Sequence, residues 1–415
     1  MQDVPEPTPR ATVPSSPAAP PRPPNADRVS LIEAIEKERK LRLISLVISD
    51  RPVAVGPVSQ IPFQITQDIP RQVLDHLQQI GHVPRLGLFL YSRGGDTSVP
   101  WVLVSLLREY CDELEVIIPY RAHSAATMVA LGADQILMGR HGQLGPIDPT
   151  LAFQEANQID PAKSRNITIA VEDITSFIKL VKEGVGITDQ RELGEAFGRL
   201  SAVVSPVTLG TINRQQAYIR MVARKLLGSR KTPPQVAEVD RIVEGLISQT
   251  FFHLHVINRV EATKDIGLDN IPAIDGAFDD KIWALFLEYE RALELRSVIN
   301  GAKMFSPMDP DQRTIDGVIG ALIETATQQS RLSGRIEITR NRAIPQGLNV
   351  NLNVSLPPQL AAPGANIPQQ LQALIPQLQG AIQALVQAEI RRQAPVLGYG
   401  FQWIGDWEPI GDGTV

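Results

Sequence analysis

The stretch that decides the fold runs from Leu86 to Pro149, where apolar runs alternate with loops of small residues. It contains LGLFLYSRGGD at 86–96, LEVIIPY at 114–120, RAHSAATMVALGADQILMG at 121–139 and RHGQLGPIDP at 140–149. The runs LGLFLYS, LEVIIPY and DQILMG are almost continuously apolar, which is typical of strands buried on both faces of a parallel sheet. Helical patterns separate them, so the sequence predicts βαβ crossover units and an α/β fold.

Ser124 stands where the run LEVIIPY gives way to a helical pattern. A serine at this position is most often an N-cap, whose hydroxyl accepts a backbone hydrogen bond. Here the predicted helix follows a strand, so its unpaired N–H groups and positive dipole end point at the edge of the sheet. The neighbours Ala122, Ala125 and Ala126 are small and leave room for an acyl group. Ser124 is therefore a candidate nucleophile.

A second loop, SRGGD, follows the preceding predicted strand. A Gly-Gly pair is compatible with an ordinary strand-to-helix turn, but glycine also allows positive φ and close approach of the backbone to a ligand. The N–H groups of Gly94 and Gly95 can form an oxyanion hole together with that of Ala125. The loop lacks the glycine spacing of a dinucleotide fingerprint and the lysine of a P-loop.

The composition is that of a globular protein without a basic surface. Apolar residues make up 43% of the chain and charged residues 20%, and the net charge is -5. We therefore expect no nucleic-acid partner, and no apolar stretch is long enough to span a membrane. The single cysteine, Cys111, lies in the helical pattern SLLREYCDEL and is expected to be structural. It excludes an intramolecular disulfide and suits a reducing cytoplasm.

Shifts in composition predict three regions. Residues 1–26 are rich in Pro, Ala, Ser and Thr and are expected to be a disordered tail. The PPRPP motif in this tail is a candidate ligand for a partner with an aromatic groove. Residues 27–300 are predicted to hold the α/β units followed by a helical extension, packed on the sheet or reaching between subunits. Residues 301–415 are predicted to form a small C-terminal α+β region.

Within the C-terminal region, four segments carry separate predictions. DGVIGALIETATQQSR has helical spacing, whereas GRIEITRNRA and GLNVNLNVS alternate like the strands of a hairpin. The Gln-, Ala- and Leu-rich segment 357–394 predicts a helix, either a plain surface helix or a self-association element. GYGFQWIGDWEP at the end of the chain is expected to dock as a strand.

Four motifs together carry a family resemblance: YSRGGD, AHSAATM, GADQILMG and LGPIDP. In order and spacing they resemble the ClpP/crotonase superfamily, and most closely the serine dehydrogenase proteinase family, which is related to signal peptide peptidase A. The resemblance covers about residues 30–295 and implies a ClpP/crotonase-like spiral of βαβ units with serine peptidase chemistry. It implies Ser124 as the nucleophile, Gly94 and Ala125 as the oxyanion N–H donors, and a trimer-based homo-oligomer.

The general base is the component that the sequence leaves open. ClpP-type enzymes place a histidine in the strand after the nucleophile helix, and Asp148 holds that place here. A carboxylate is a poor base for a hydroxyl at neutral pH, and Asp148 is more simply explained as fixing its loop. Relatives of signal peptide peptidase A use a lysine further along the chain, for which Lys163, Lys179 and Lys182 are candidates. We select Lys163, because the other two fit a solvated ion pair with Glu183.

Three more residues are expected to line the site: Gly95, Asp148 and His141. His141 lies in an Arg-His-Gly turn that is close to Ser124 in sequence. No histidine spacing predicts a metal site, and we expect neither a metal nor a cofactor.

Three functions are compatible with these residues. The favoured one is a cytoplasmic serine peptidase-like hydrolase that acts on peptide or protein substrates with a Ser-Lys or incomplete dyad. The alternative is a catalytically silent scaffold or peptide-binding module, whose glycine loop and helix N-terminus hold a carbonyl without turning it over. An acyl-CoA enzyme with the same oxyanion pocket is less favoured, since no basic pocket for nucleotide phosphates is evident.

Overall fold

The apolar runs of the sequence form the centre of a mixed β-sheet. The structure, a computed structural model, describes residues 25–55, 58–60, 62–148, 150–155, 165–248, 255–306, 309–343 and 369–410. The strands are β1 (Arg42–Ile48), β2 (Val53–Val55), β3 (Val58–Gln60), β4 (Val83–Tyr91), β5 (Cys111–Ile118), β6 (Arg121–Ala122), β7 (Gln135–Met138), β8 (Gln143–Leu144), β9 (Thr150–Glu155), β10 (Arg165–Ala170), β11 (Ile257–Asn258), β12 (Ile299–Asn300), β13 (Gln312–Glu324), β14 (Gln329–Arg342) and β15 (Val396–Ile410).

The helices surround this sheet and continue beyond it. They are α1 (Ala26–Arg39), α2 (Ile69–Ile80), α3 (Val99–Arg108), α4 (Ala125–Leu131), α5 (Val171–Lys179), α6 (Gln190–Val203), α7 (Pro206–Gly228), α8 (Val236–Ser248), α9 (Arg259–Glu261), α10 (Gly276–Ala292) and α11 (Gln369–Gln393). Short π-helical turns lie at Leu180–Gly184 and Ala262–Ile266, and a 3-10 turn lies at Ala302–Met304. None of the described helices is long and apolar enough to cross a bilayer.

The large sheet has the strand order β15-β14-β13-β1-β4-β5-β7. Strands β1, β4, β5 and β7 run parallel, and β13, β14 and β15 extend the sheet in antiparallel pairs from β1. Parallel strands need crossover connections, which α2, α3 and α4 supply between successive strands of the parallel half. The α/β fold class predicted from the sequence is confirmed.

Each face of the sheet carries its own core, because successive side chains of a strand point to opposite faces. In β1, Ile44 and Leu46 belong to one buried cluster, which also contains the apolar sides of α2, α3, α4, α7 and α8. Leu43 and Val47 belong to the other cluster, together with α1 and α10. The face that carries α4 is therefore opposite to the face that carries α10.

The predicted helix over DGVIGALIETATQQSR is wrong, because this segment forms most of β13 and the start of β14. β13 pairs antiparallel with β1, and its register shifts twice, between Ile315 and Val318 and between Ile319 and Ala321. Such β-bulges insert extra residues and break the period-two alternation that identifies a strand in a sequence. The bulged spacing of apolar residues consequently imitates a helical one.

The other C-terminal predictions fare differently. GYGFQWIGDWEP lies in β15, so its docking as a strand is confirmed, and GRIEITRNRA lies in β14 between β13 and β15. The second predicted hairpin segment, GLNVNLNVS, lies outside the described residues, as do residues 1–24 of the tail. α11 confirms the helix in the Gln-rich segment. The predicted division of the chain near residue 300 stays a prediction, although β13, β14 and β15 share one sheet with β1.

Cys111 does not continue a helix, as its sequence context suggested, but begins β5. The thiol is buried and lies 3.4 Å from the carbonyl oxygen of Leu107. Burial raises the pKa of Cys111 to about 12. A thiol in this state is protonated at neutral pH and is a structural group rather than a nucleophile.

A buried ion pair fastens α1 to the end of β13. Arg28 donates from Nε to Oε2 and from Nη2 to Oε1 of Glu324, each at 2.8 Å, and both residues are buried. Substituting Glu324→Gln leaves the Arg28 charge uncompensated, so we expect the free energy of unfolding to fall by about 3 kcal/mol. Urea denaturation measures this loss.

The matched control for this pair is Glu337→Gln. Glu337 accepts a hydrogen bond from Arg335 at 2.9 Å on the exposed surface of β14. Removal of this solvated pair should cost less than about 1 kcal/mol. Equal losses in the two variants would contradict the account of the buried pair.

His76 predicts a pH dependence of stability. The ring is fully buried between α2 and β14, with Nε2 3.0 Å from Ser330 Oγ. Burial lowers the pKa of His76 from 6.5 to about 4, against a smaller opposing effect of Asp75. The unfolded chain therefore binds the proton more tightly, and stability that is complete above pH 6.5 is lost as the pH falls towards 4.

The loss attributable to His76 is about 3 kcal/mol between pH 7 and pH 4. Urea denaturation at a series of pH values should show this slope in the native protein and a correspondingly smaller slope in His76→Gln. His82→Gln, which replaces an exposed ring, should leave the slope as it is. A slope that is unchanged in His76→Gln would contradict the assignment.

Candidate active site

Ser92 joins the two loops that were singled out in the sequence. β4 and β5 are neighbouring parallel strands, so their carboxyl ends open at the same edge of the sheet. The N–H of Ser92 donates to the carbonyl oxygen of Arg121, and the N–H of His123 donates to the carbonyl oxygen of Ser92, both at 3.0 Å. The glycine loop and the segment that leads to Ser124 are thus held side by side.

Ser124 is held in an unusual backbone conformation at the start of α4. Its φ is 52° and its ψ is -117°, outside the regions that residues with a Cβ atom normally adopt. Its carbonyl oxygen accepts the N–H of Met128, which starts the helix, but its side chain makes no cap hydrogen bond. The ordinary N-cap explanation of Ser124 therefore does not apply. Strain of this kind concentrates at functional sites.

Gly94 lies directly against Ser124. A Cβ atom added at Gly94 would be 2.7 Å from Ser124 Cβ and 2.8 Å from the carbonyl oxygen of His123. The φ of Gly94 is +107° and that of Gly95 is +150°, both favourable only for glycine. The two loops are therefore in van der Waals contact, and the contact requires glycine.

Gly95 is confined from its other side by residue 65. A Cβ atom at Gly95 would lie 2.3 Å from the carbonyl oxygen of Ile65. The N–H of Ile65 donates to the carbonyl oxygen of Gly94 at 2.8 Å, and the N–H of Asp96 donates to that of Ile65 at 2.9 Å. An extended segment thus runs beside the glycine loop and fixes its course.

The backbone N–H groups of the two loops differ in what they bind. The N–H of Gly94 donates to Ser92 Oγ at 3.0 Å, so it is already occupied. Within the part of the chain that the structure describes, no acceptor is found for the N–H of Gly95 or of Ala125. Ala125 is the first residue of α4, where a helix has no acceptor of its own to offer.

The loop that carries Asp148 is anchored to α4 by Thr127. Thr127 Oγ1 lies 2.7 Å from the carbonyl oxygen of Ala122 and 2.9 Å from that of Gly145, and it accepts the N–H of Gly145 at 3.0 Å. A Cβ atom at Gly145 would be 3.1 Å from the side chain of His123. Three residues further on, Asp148 is buried.

The aromatic contacts of His141 lie on the other face of the sheet from α4. Its ring packs on Trp283 with the centroids 4.5 Å apart, next to Tyr120 and Phe286. These aromatic residues belong to or pack against the core on the face that carries α10, opposite to α4. This placement gives no support to the site-lining role predicted for His141.

Lys163, the base selected from the sequence, lies outside the described residues. Lys179 forms an exposed ion pair with Glu183, with the charged atoms 3.9 Å apart, as its helical spacing predicts. Lys179 and Lys182 line a groove between α5 and α7 rather than the loops around Ser124. Among the residues that are described, no three His, Cys, Asp or Glu side chains are grouped as a metal site would need.

Three charged residues at the same edge of the sheet were not recognised in the sequence. Arg121 donates from Nη1 to Asp50 Oδ2 at 2.7 Å, and Arg93 Nη1 lies 3.8 Å from the same oxygen. Burial raises the pKa of Tyr91, and the charge of Asp50 raises it further, so this neighbouring hydroxyl is neutral. Each charged residue follows the end of a parallel strand by two or three positions. The predicted strand ends were therefore the only signal in the sequence that could have brought these residues together.

Asp96 closes the glycine loop. Its Oδ1 accepts the N–H of Ser98 at 2.8 Å and the Ser98 hydroxyl at 2.7 Å, and Gln67 donates to its Oδ2 at 3.0 Å. Partial burial raises the pKa of Asp96, but these hydrogen bonds outweigh burial and hold it below the usual range. Asp96 is therefore a charged residue that fixes the turn into α3.

The fold and the two loops define an α/β protein with a serine at a strand end. Residues 16–186, which carry both loops of the site, match the family model described as ClpP-like SDH-type serine proteinase. The resemblance predicted from the sequence is thereby confirmed.

Two relatives come from Methanocaldococcus jannaschii, and both are named only as uncharacterized proteins. The first is 24% identical over 235 residues, which cover 57% of this chain and 69% of the relative. The second is 26% identical over 100 residues, which cover 24% of this chain and 34% of the relative. Their names assign no activity, so these similarities add none.

The close packing around the glycine loop predicts that one added methyl group at Gly95 lowers the stability of the fold. Because a Cβ atom at Gly95 meets the backbone of Ile65 and the residue keeps a positive φ, Gly95→Ala should lower the free energy of unfolding by about 2 kcal/mol or more. Urea denaturation measures this change.

Gly198→Ala is the matched control, since Gly198 lies within α6 and a Cβ atom there meets nothing within 4 Å. This substitution should stabilise the protein by about 0.5–1 kcal/mol. A Gly95→Ala protein that is as stable as the unsubstituted protein would show that the loop is not confined in this way.

Proposed function

We propose that the protein is a serine peptidase-like hydrolase that cleaves peptide bonds with Ser124 as its nucleophile. The observation that carries the proposal is the backbone of Ser124, which has positive φ, leaves its side chain outside the helix cap and lies against Gly94. The match to a serine proteinase family over the same residues supports it.

The reaction assigned to this site is acyl transfer in two steps. Ser124 Oγ attacks the carbonyl carbon of the scissile bond while its proton passes to a base, and the carbonyl oxygen becomes an oxyanion. Collapse of this intermediate releases the amine, which takes up the proton, and leaves an acyl group on Ser124. Water then attacks the acyl group while the base takes its proton, the bond between the acyl carbon and Ser124 Oγ breaks, the carboxylic acid product leaves, and the base returns the proton to Ser124 Oγ.

Backbone N–H groups are assigned to the oxyanion. The family resemblance implied those of Gly94 and Ala125, but the N–H of Gly94 already donates to Ser92 Oγ. We therefore assign the role to the N–H groups of Gly95 and Ala125, and we assign Gly94 the role of letting the loops meet. Donors fixed in advance by the fold stabilise the oxyanion without reorganisation.

The base in this proposal is Lys163, chosen among the lysines that follow Ser124 because the resemblance to signal peptide peptidase A implies a lysine base. An amine accepts a proton only in its neutral form, so the base must have a pKa that burial lowers from its ordinary value. Activity should then rise with pH through the pKa of that lysine. Asp148, buried in the loop that Thr127 anchors, is proposed to position this loop rather than to accept the proton.

A homo-oligomer is proposed as the working form, built on trimers and located in the cytoplasm. α6 has no buried residue along its 14 residues. Phe197 and Val203 on this helix, with Val207 at the start of α7, expose 48%, 70% and 80% of their surfaces. Exposed apolar side chains of this kind support a contact between chains.

Hydrolysis of fluorescently labelled casein tests the proposed activity. The unsubstituted protein should release labelled peptides, and Ser124→Ala should lower the rate by about a thousandfold or more, because the nucleophile is lost. The control Ser201→Ala removes a hydroxyl that only contacts the carbonyl oxygen of Phe197 on exposed α6, and it should retain the full rate.

The same assay separates the alternatives. Equal rates for Ser124→Ala and the unsubstituted protein would contradict the assignment of the nucleophile. A folded protein that binds casein and releases no peptide would favour the peptide-binding module instead.

A further inference from the structure

Three charged side chains meet beside the glycine loop. Asp50 follows β1, Arg93 follows β4 and Arg121 begins β6, just after β5. Because β1, β4 and β5 are adjacent and parallel, these residues gather at one edge of the sheet. It is the edge at which Ser92 joins the two loops of the candidate site.

The charge of Asp50 is already balanced by Arg121. Their side chains hydrogen-bond at 2.7 Å, and the Asp50 side chain is only 7% exposed. Arg121 also donates to the Tyr120 hydroxyl at 2.9 Å, with its guanidinium 4.3 Å from the centre of that ring. Arg121 is therefore fixed by three contacts.

Arg93 is the second cation of this cluster, and the carboxylate of Asp50 is already hydrogen-bonded to Arg121. Its closest approach to Asp50 is 3.8 Å, beyond hydrogen-bond distance, and its side chain is 34% exposed. It donates no hydrogen bond to the residues that the structure describes. Two guanidinium groups face one carboxylate, so the cluster carries one net positive charge, and this charge is located on Arg93.

Arg93 is also adjacent in the chain to the contact between the two loops. It immediately precedes Gly94, whose Cα would carry a Cβ atom 2.7 Å from Ser124 Cβ. Consecutive Cα atoms are about 3.8 Å apart, so the stem of Arg93 begins within one residue of the nucleophile. The residue that carries this guanidinium is therefore the chain neighbour of the glycine that contacts Ser124.

We propose that Arg93 binds a carboxylate of the peptide substrate, so that the site selects an acidic side chain or a peptide C-terminus close to the scissile bond. Arg121 holds the carboxylate of Asp50, and this carboxylate faces the guanidinium of Arg93 at 3.8 Å. This inference rests on the proposed peptidase function and names the class of its substrate.

A carboxylate is the ligand that suits this group. The planar guanidinium pairs with both oxygens of a carboxylate, which gives direction as well as charge. Partial burial strengthens the attraction relative to bulk water. The chain as a whole carries a net charge of -5, so an acidic peptide gains no general attraction and depends on a local cation.

Three peptides of otherwise equal sequence test the proposal. One carries Glu beside the scissile bond and an amidated C-terminus, the second carries Gln there with the same amide, and the third carries Gln with a free C-terminus next to the bond. The unsubstituted protein should cleave a carboxylate-bearing peptide with about tenfold higher kcat/KM than the Gln amide, which equals about 1.4 kcal/mol.

The choice between the Glu peptide and the free C-terminus identifies the source of the carboxylate. In Arg93→Gln the preference should vanish, mainly through a raised KM for the carboxylate-bearing peptide. The control Arg191→Gln removes an arginine with an 89% exposed side chain on α6 and should keep the preference. Absence of a preference in the unsubstituted protein, or its persistence in Arg93→Gln, would overturn the proposal.

Binding to Ser124→Ala separates this proposal from the peptidase function. Fluorescence anisotropy of the same peptides, labelled, gives their Kd values without turnover. We expect Ser124→Ala to bind a carboxylate-bearing peptide about tenfold more tightly than the Gln amide. Loss of this difference in Ser124→Ala/Arg93→Gln supports the role of Arg93 even if no peptide is cleaved. Equal Kd values for all three peptides overturn it, whatever the activity.

Discussion

The parallel bridge between Ser92 and Ala122 is the interaction on which the site depends. Two backbone hydrogen bonds of 3.0 Å join the end of β4 to the segment that follows β5, and Ser92 Oγ fixes the first glycine of the loop. Once these loops are side by side, the space between them excludes any Cβ atom at Gly94. Ser124 has its strained backbone at the point where the start of α4 meets this contact.

The rest of the molecule supports this bridge by fixing the strands that carry it. Buried apolar residues cover both faces of the parallel strands, and α4 packs among them through its whole length. β13 covers the open edge of β1, and the buried pair of Arg28 and Glu324 ties α1 to that strand. Because a packed interior transmits small shifts, the positions of the strand ends are set by the whole sheet.

Much of this arrangement could be predicted from the sequence, because continuous apolar runs and small-residue loops are local signals. β4, β5, α4 and the loops around Gly94 and Ser124 lie where these signals placed them. The strand β13 was missed because bulges disturb its alternation. The hydrogen bond from the N–H of Gly94 to Ser92 Oγ depends on the exact course of the loop, which a sequence pattern does not give. The cluster of Asp50, Arg93 and Arg121 joins residues that are distant in the sequence, so no local pattern predicts it.

The proposed base, Lys163, is supported by its position in the sequence alone, because it lies outside the described residues. Ser124, by contrast, has a conformation and neighbours that distinguish it from other serines, and its reactivity is the central claim. The direct measurement is mass spectrometry of the folded protein after treatment with a fluorophosphonate, followed by mapping of the adduct. We predict one adduct per chain, on Ser124. An adduct on another serine, or none on the folded protein, would contradict the account.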